Sequence, residues 1–185
     1  MEERVFENLR FEEAETRDAE FEGCSFLNCD FSNGMLAYTK LIDCVFTGCN
    51  LALVKLNNCL INNIVFNDCK LLGVNFSDSS DSFFKVKFNG CQLDYCSFAG
   101  KKLKKTMFIN SSVKNVDFTE ADLTGSIFSH SDLTNTVFNK TILKEADFTA
   151  ASYYSIDPEV NNIRKARFSH AGIEGLLNKY DIIIE

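Results

Sequence analysis

Large apolar residues recur every fifth position along most of this chain, and that period constrains the fold more than any other feature. They stand at Phe6, Phe11, Phe21, Phe26, Phe31, Leu36, Leu41, Phe46, Leu51, Leu56, Ile61, Phe66, Leu71 and Phe76, with Thr16 as the one exception. After Ser77–Ser82 the register moves by two. The series resumes at Phe83, Phe88, Leu93, Phe98, Leu103, Phe108, Val113, Phe118, Leu123, Phe128, Leu133, Phe138, Leu143, Phe148 and Tyr153. Two places before each centre stands a mostly small residue, and all eight cysteines occupy that place. The other three places are filled mainly by Asn, Asp, Ser, Thr, Lys and Glu. A period of five fits neither 3.6 nor 2.0, so neither an amphipathic helix nor a flat alternating strand explains it.

A solenoid whose chain turns a corner every five residues does explain it. Four sides close a square coil of twenty residues, and successive coils stack at the spacing of β-strands, about 4.8 Å. Residues twenty apart should then lie over one another. Allowing for the two inserted residues, one column reads Phe6, Phe26, Phe46, Phe66, Phe88, Phe108, Phe128 and Phe148. The facing column ends Phe98, Phe118, Phe138, with mainly aliphatic columns between the two. This predicts an all-β solenoid, a quadrilateral β-helix of about eight coils and roughly 38 Å in length. Its expected organisation is an acidic lead-in and first coil at 1–20, the repeat region at 21–155, and a cap and dimerisation segment at 156–185.

Composition closes off other classes. The chain of 185 residues has 18 Phe, 5 Tyr, no Trp and a single Pro, consistent with one local unit used many times. With 45% hydrophobic and 24% charged residues it is too apolar to be disordered. No apolar run reaches the roughly 18 residues needed to span a bilayer, so no membrane association is expected. The first residues lack the basic and apolar segments of a signal peptide, and the chain is expected in the cytoplasm, with its thiols reduced. Cys29, Cys49, Cys69 and Cys91 share one column, where parallel side chains are poorly aimed for disulfides, and no His stands among them. They read as small buried residues. His130 and His170 lie outside the inward positions, and no nucleotide-binding, nucleophile or metal-ligand motif accompanies them. No catalytic, cofactor-binding or metal-binding residue is therefore assigned, and no cofactor is expected; the chain reads as a non-enzyme.

The pattern decays after Tyr153. Asp157-Pro158 brings the only Pro to a centre position, so regular coils should stop near there. Ile173, Leu176, Leu177 and Tyr180 fall at i, i+3, i+4 and i+7, which predicts one apolar helix face. Asp181 to Glu185 reads as a short terminal strand. These residues, with Ile182 and Ile184, form the expected cap and homodimer interface. Within the repeat, Lys101 and Asp81 both take small inward positions on one side, one level apart. They should form a partly buried ion pair, or the wall should bulge to let both reach water.

Charge is segregated within a total of −7. Residues 1–22 carry 9 acids and 3 bases, residues 120–160 carry 7 and 2, and residues 101–119 carry 1 and 5. Lys101-Lys102-Leu103-Lys104-Lys105 thus interrupts an otherwise acidic rod. Tyr38, Tyr95, Phe84 and Ile109 are expected on the surface.

Units such as Ala146-Asp147-Phe148-Thr149-Ala150, Cys29-Asp30-Phe31-Ser32-Asn33 and Cys49-Asn50-Leu51-Ala52-Leu53 resemble the repeat of the pentapeptide-repeat family, and the resemblance covers about residues 5–155. It implies a right-handed quadrilateral β-helix. The ending, with Asp157-Pro158, the 173–180 segment and Ile182–Ile184, is similar to that of the quinolone-resistance (Qnr) branch, where such an ending forms a dimer interface. That resemblance implies a DNA mimic that binds DNA gyrase or topoisomerase IV and protects it against quinolones, with no direct binding of nucleic acid. Rows of Asp and Glu on a stiff rod can substitute for phosphates opposite a basic groove. The lysine run departs from the pattern, and the 77–82 interruption is shorter than the projecting loops of some Qnr proteins. Two function classes are carried forward: topoisomerase protection by mimicry, and a rigid interaction scaffold for an unrelated partner.

Overall fold

The computed structural model describes residues 4–183 and is a square parallel β-helix. One wall is a six-stranded parallel sheet of Val5–Glu7, Ser25–Leu27, Val45–Thr47, Ile64–Asn67, Val86–Asn89 and Phe108–Ile109. A second wall holds Glu20–Glu22, Lys40–Ile42 and Leu60–Asn62. Elsewhere each side contributes a single bridge to the next coil, from Arg10↔Asp30 to Asp147↔Arg167. The register is twenty residues except at the one step between coils that absorbs the two inserted residues, where Ile64 pairs with Val86, Phe66 with Phe88, Lys70 with Gln92 and Asn75 with Ser97.

The five-residue unit closes because its last position turns the corner with positive φ, as at Asn28, Asn63, Asn110 and Gly125. Only Gly, and to a lesser degree Asn and Asp, adopts that conformation readily, which accounts for much of the polar residue choice outside the core. Asp placed one residue before a centre is fixed by an Asx turn. In Asp122, Asp132 and Asp147, Oδ1 accepts both the N–H and the hydroxyl of the Thr two residues on, at 2.6–3.1 Å.

Inside, the main Phe column runs from Phe6 to Phe168, with neighbouring centroids 4.5–5.4 Å apart and rings within 26° of parallel. Phe76, Phe98, Phe118 and Phe138 form the facing column, with centroids 4.5–5.5 Å apart. The two columns meet edge to face, as between Phe108 and Phe118 at 5.6 Å and 79°. Offset stacks along the rod and T-shaped contacts across it are both favourable arrangements of aromatic quadrupoles. Thr16, the one centre that is not large, is also buried. It ends a helical turn, Glu13–Thr16, and its hydroxyl donates to the Met35 carbonyl at 2.7 Å.

Several expectations are corrected. Phe83 and Tyr153 are not core centres: both adopt positive φ and are 79% and 75% exposed. The following residue turns inward instead, so Phe84 is half-buried against Phe76, and Tyr154 packs on Phe148 and Phe168 at 5.5 and 5.7 Å. In both places extra or irregular chain length shifts the register by one. Coiling does not stop at Pro158 either. Asn162 and Arg167 still bridge to the coil before, and Phe168 adds a ninth ring to the column of eight. Pro158 is accommodated because the turn is closed by the side chain of Asn161, which donates to the Asp157 carbonyl at 2.9 Å.

The 171–180 segment is not a single amphipathic helix but two 3₁₀ turns, Ile173–Leu176 and Asn178–Tyr180. Gly172 and Gly175 lie directly on Tyr154; a Cβ on Gly175 would meet the Tyr154 carbonyl oxygen at 2.4 Å. The close approach fixes the tighter turn, and Gly175 in turn accepts the Ile156 N–H at 2.9 Å. Residues 181–183 are not a strand, and Ile184 and Glu185 lie outside the described residues.

Candidate interaction surfaces

The walls point small residues, large residues and the Phe columns inward, so any functional chemistry must be displayed outside. All eight thiols are buried and none is in a disulfide. In the column Cys29, Cys49, Cys69 and Cys91, each Sγ donates to a main-chain carbonyl of the preceding coil at 3.4–3.5 Å. Burial pushes Cys44 up to about 11 and Cys59 up to about 12, far from the thiolate form. Among the described residues, no group of His, Cys, Asp and Glu is placed to hold a metal ion, and no helix is long and apolar enough to cross a membrane.

The acidic stretch at 120–160 is neutralised locally. Each of its carboxylates has a cationic neighbour within 4 Å: Glu120–Lys140, Asp122–Lys104, Asp132–Lys114, Glu145–Lys144, Asp147–Arg167, and both Asp157 and Glu159 with Lys179. Most partners stand twenty or so residues apart, because stacking brings them onto adjacent levels. Burial would raise the Asp122, Asp132 and Asp147 carboxyls, but their Thr hydrogen bonds and the neighbouring cation outweigh it and hold each below the usual carboxylate range. The seven acids are also spread over all four walls rather than lined up on one.

Lys101 does occupy the inward position. Its side chain is 2% exposed, and Nζ donates to the Ser79 carbonyl at 2.6 Å and to Asp81 Oδ1 at 2.7 Å, with the Phe84 ring 5.3 Å away. Asp81 is not inward: its side chain is 83% exposed. Ser79 takes the buried small place, and its hydroxyl donates to the Phe76 carbonyl at 2.6 Å. The long lysine stem thus reaches from the coil below into the gap the insertion opens and satisfies a carbonyl left there, with three donors facing two oxygens and one ring.

Around that insertion lies a surface that neither the period nor the motif scan pointed to. A shallow cleft of about 630 Å³ is lined by Asn62, Asp81, Phe83, Phe84, Lys85, Val86, Lys87, Lys102, Lys104, Lys105 and Thr106. Counting Lys85 and Lys87 one level above the lysine run would have found it.

At the other end, Ile173, Tyr180, Ile182 and Ile183 are exposed, whereas Leu176 packs on the core. The cap is tied to the last coil by Lys179 to Asp157 and Glu159, both 2.7 Å, and by the Tyr180 hydroxyl donating to Glu159 at 2.9 Å. Of the other surface candidates, Tyr38 and Tyr95 are exposed and Ile109 is half-buried.

A family model described as a pentapeptide repeat region matches residues 19–98 and 82–148. No curated protein sequence matches the chain. Among solved structures, three forms of QnrB1, a plasmid-mediated fluoroquinolone resistance protein, superpose along nearly the whole length. Two trypsin-treated variants give TM-scores of 0.68 and 0.65 at 16% and 17% identity, each covering 99% of this chain and 98% of that chain. The full-length form gives 0.56 at 17% identity, covering 97% and 98%. At such identities the likeness is one of fold.

Proposed function

Because this chain belongs to the pentapeptide-repeat family, we propose that it performs no chemistry of its own and acts as a rigid rod whose outer walls bind a protein partner. The observation that carries this reading is the use of the interior. From Phe26 to Phe148 the inward positions are filled by stacked rings, aliphatic side chains and small residues, with Lys101 the one charged side chain among them, and the variable residues are displayed outside.

The partner class we propose first is a type II topoisomerase, with the rod protecting the enzyme from quinolones. It is supported by the correspondence with QnrB1 over almost the full length of both chains, cap included. Mimicry of DNA would place rows of carboxylate against a basic groove. Purified DNA gyrase should then lose supercoiling activity as the protein is added, and should be protected from a fluoroquinolone at lower concentrations. If micromolar protein changes neither, the topoisomerase reading fails.

A second reading, a scaffold for an unrelated partner, is favoured by the charge arrangement. Every carboxylate at 120–160 is paired with a cation, and a lysine island stands at one corner above them, so little free carboxylate is left for the continuous negative stripe that mimicry needs. Under either reading the exposed apolar end of the cap serves as a homodimer interface, in the cytoplasm.

A further inference from the structure

We propose that the lysine-lined cleft beside Phe83 is a docking site for a short acidic peptide segment of a partner protein, one that carries an apolar side chain. The inference rests on the reading of the rod as a binding surface, but not on a topoisomerase being the partner.

Outside the cleft most bases lie within 4 Å of a carboxylate, among them Lys40, Lys114, Lys140 and Arg167, while Arg4, Lys55, Lys70, Arg164 and Lys165 have no such partner among the described residues; the cleft differs in gathering four unpaired lysines into one lining. In the cleft, only Lys104 is so matched, to Asp122 at 3.2 Å, while Asp81 is engaged by Lys101. Lys85, Lys87, Lys102 and Lys105 have no ion-pair partner among the described residues. Carried back along the chain, the register Phe88↔Phe108 puts Lys85 one level from Lys105, and both line the cleft, two like charges on adjacent levels. Such a pair is mutually repulsive in the free protein and is relieved by an anion between them.

Phe83 supplies the second half of the recognition. The residue is 79% exposed at φ +58, the corner conformation it shares with Tyr38, Leu53, Tyr95 and Tyr153, and of these it is the one that lines the cleft. An apolar side chain laid against it would be enclosed by lysine stems, which are themselves apolar up to the ammonium.

The extent of the island selects the occupant. Along this corner the register reads Asp43, Asn63, Lys85, Lys105, Gly125, Glu145, so the basic surface is two levels tall, about 10 Å, flanked by the uncharged Asn63 and Gly125 and, one level further on, by the carboxylates of Asp43 and Glu145. A nucleic-acid strand following the rod would run onto those acids and onto a chain of net charge −7. A few acidic residues of an extended peptide fit within the island.

The test is fluorescence anisotropy with the full chain and a fluorescein-labelled peptide of glutamates flanking a central Leu-Phe. Comparison probes are an all-glutamate peptide, a lysine peptide and oligothymidylate. The Leu-Phe acidic peptide should bind most tightly, and more weakly as salt is raised. Lys85→Glu with Lys105→Glu should weaken it by about tenfold or more, and Phe83→Ala by about fivefold. Lys55→Glu with Lys70→Glu, on other walls, should leave it unchanged. No binding, or binding that ignores the Lys85 and Lys105 reversals, overturns the proposal. So does tighter binding of oligothymidylate, or self-association by light scattering that those reversals abolish, which would make the acidic end of a second copy the occupant. A failed supercoiling assay alongside peptide binding removes the topoisomerase but not this site. Supercoiling inhibition without peptide binding does the reverse.

Discussion

Replacing Lys101 by methionine sets two effects of opposite sign against each other. Methionine keeps an unbranched stem in the same slot and removes a buried ammonium whose desolvation opposes folding. It also strips the Ser79 carbonyl of its donor. No backbone N–H donates to that oxygen among the described residues, and leaving it unpaired inside costs about 1–3 kcal/mol. The Asp81 carboxylate, being 83% exposed, simply returns to water, so its half of the pair counts as a screened surface contact of about 0–1 kcal/mol. Buried ion pairs replaced whole by apolar groups are often neutral or stabilising, but here a carbonyl stays behind, and that decides the sign. The net expectation is a loss of about 2 kcal/mol, which for a chain of this size lowers the melting temperature by about 4–8 °C. Thermal and urea melts followed by circular dichroism read it directly. Lys101→Ala should cost more, since the stem packing goes too, and Asp81→Asn less. A Lys101→Met protein as stable as the parent would refute the reasoning and mark the lysine as a tolerated burden. An Asp81→Asn protein weaker than Lys101→Met would show that the ion pair, not the carbonyl, carries the contribution.

Phe108→Ala, in the middle of the stacked column, should cost about 3–5 kcal/mol in a denaturant melt, whereas Phe6→Ala, half-buried at the end, should cost about 1–2 kcal/mol; equal losses would mean the column is not a continuous core. Light scattering should show a dimer that Ile173→Asp with Ile182→Asp converts to monomer. These two are better probes than Leu176 and Leu177, because Leu176 is committed to the core of its own chain. The carboxyls of Asp122, Asp132 and Asp147 are depressed in the folded state, so their contribution is complete above the ordinary Asp range, near pH 4, and is lost as pH falls through the lower folded values. Melting temperature should therefore decline on acidification below about pH 4, and an unchanged value at pH 3 would contradict the Asx-turn assignment. Ellman's reagent should leave the native protein almost unreacted and titrate eight thiols in urea; prompt reaction of any native thiol would show that its wall opens.

The square coil was legible in the sequence because it is a local rule. One large residue, one small residue and a corner tolerant of positive φ repeat within every five positions, and twenty-residue stacking follows from closing four such sides. The Phe column and the interruption after Phe76 could be read on that basis alone. What the tertiary structure decided is where the rule is broken and what adjacent levels do to one another. Whether Phe83 or Phe84, and Tyr153 or Tyr154, faces inward depends on how two extra residues or an irregular turn are packed, and the preferred register is the one that fills the space left beside Phe76 or Phe148. The cap turned from a helix into two 3₁₀ turns because Gly172 and Gly175 had to lie against the Tyr154 ring, a contact no spacing reveals. The pairing of each acid at 120–160 with a base, and the absence of such a partner at Lys85, Lys87, Lys102 and Lys105 among the described residues, likewise belong to long side chains meeting across coils. Charge counted along the chain cannot distinguish a neutralised wall from a bare one; charge placed on stacked levels can.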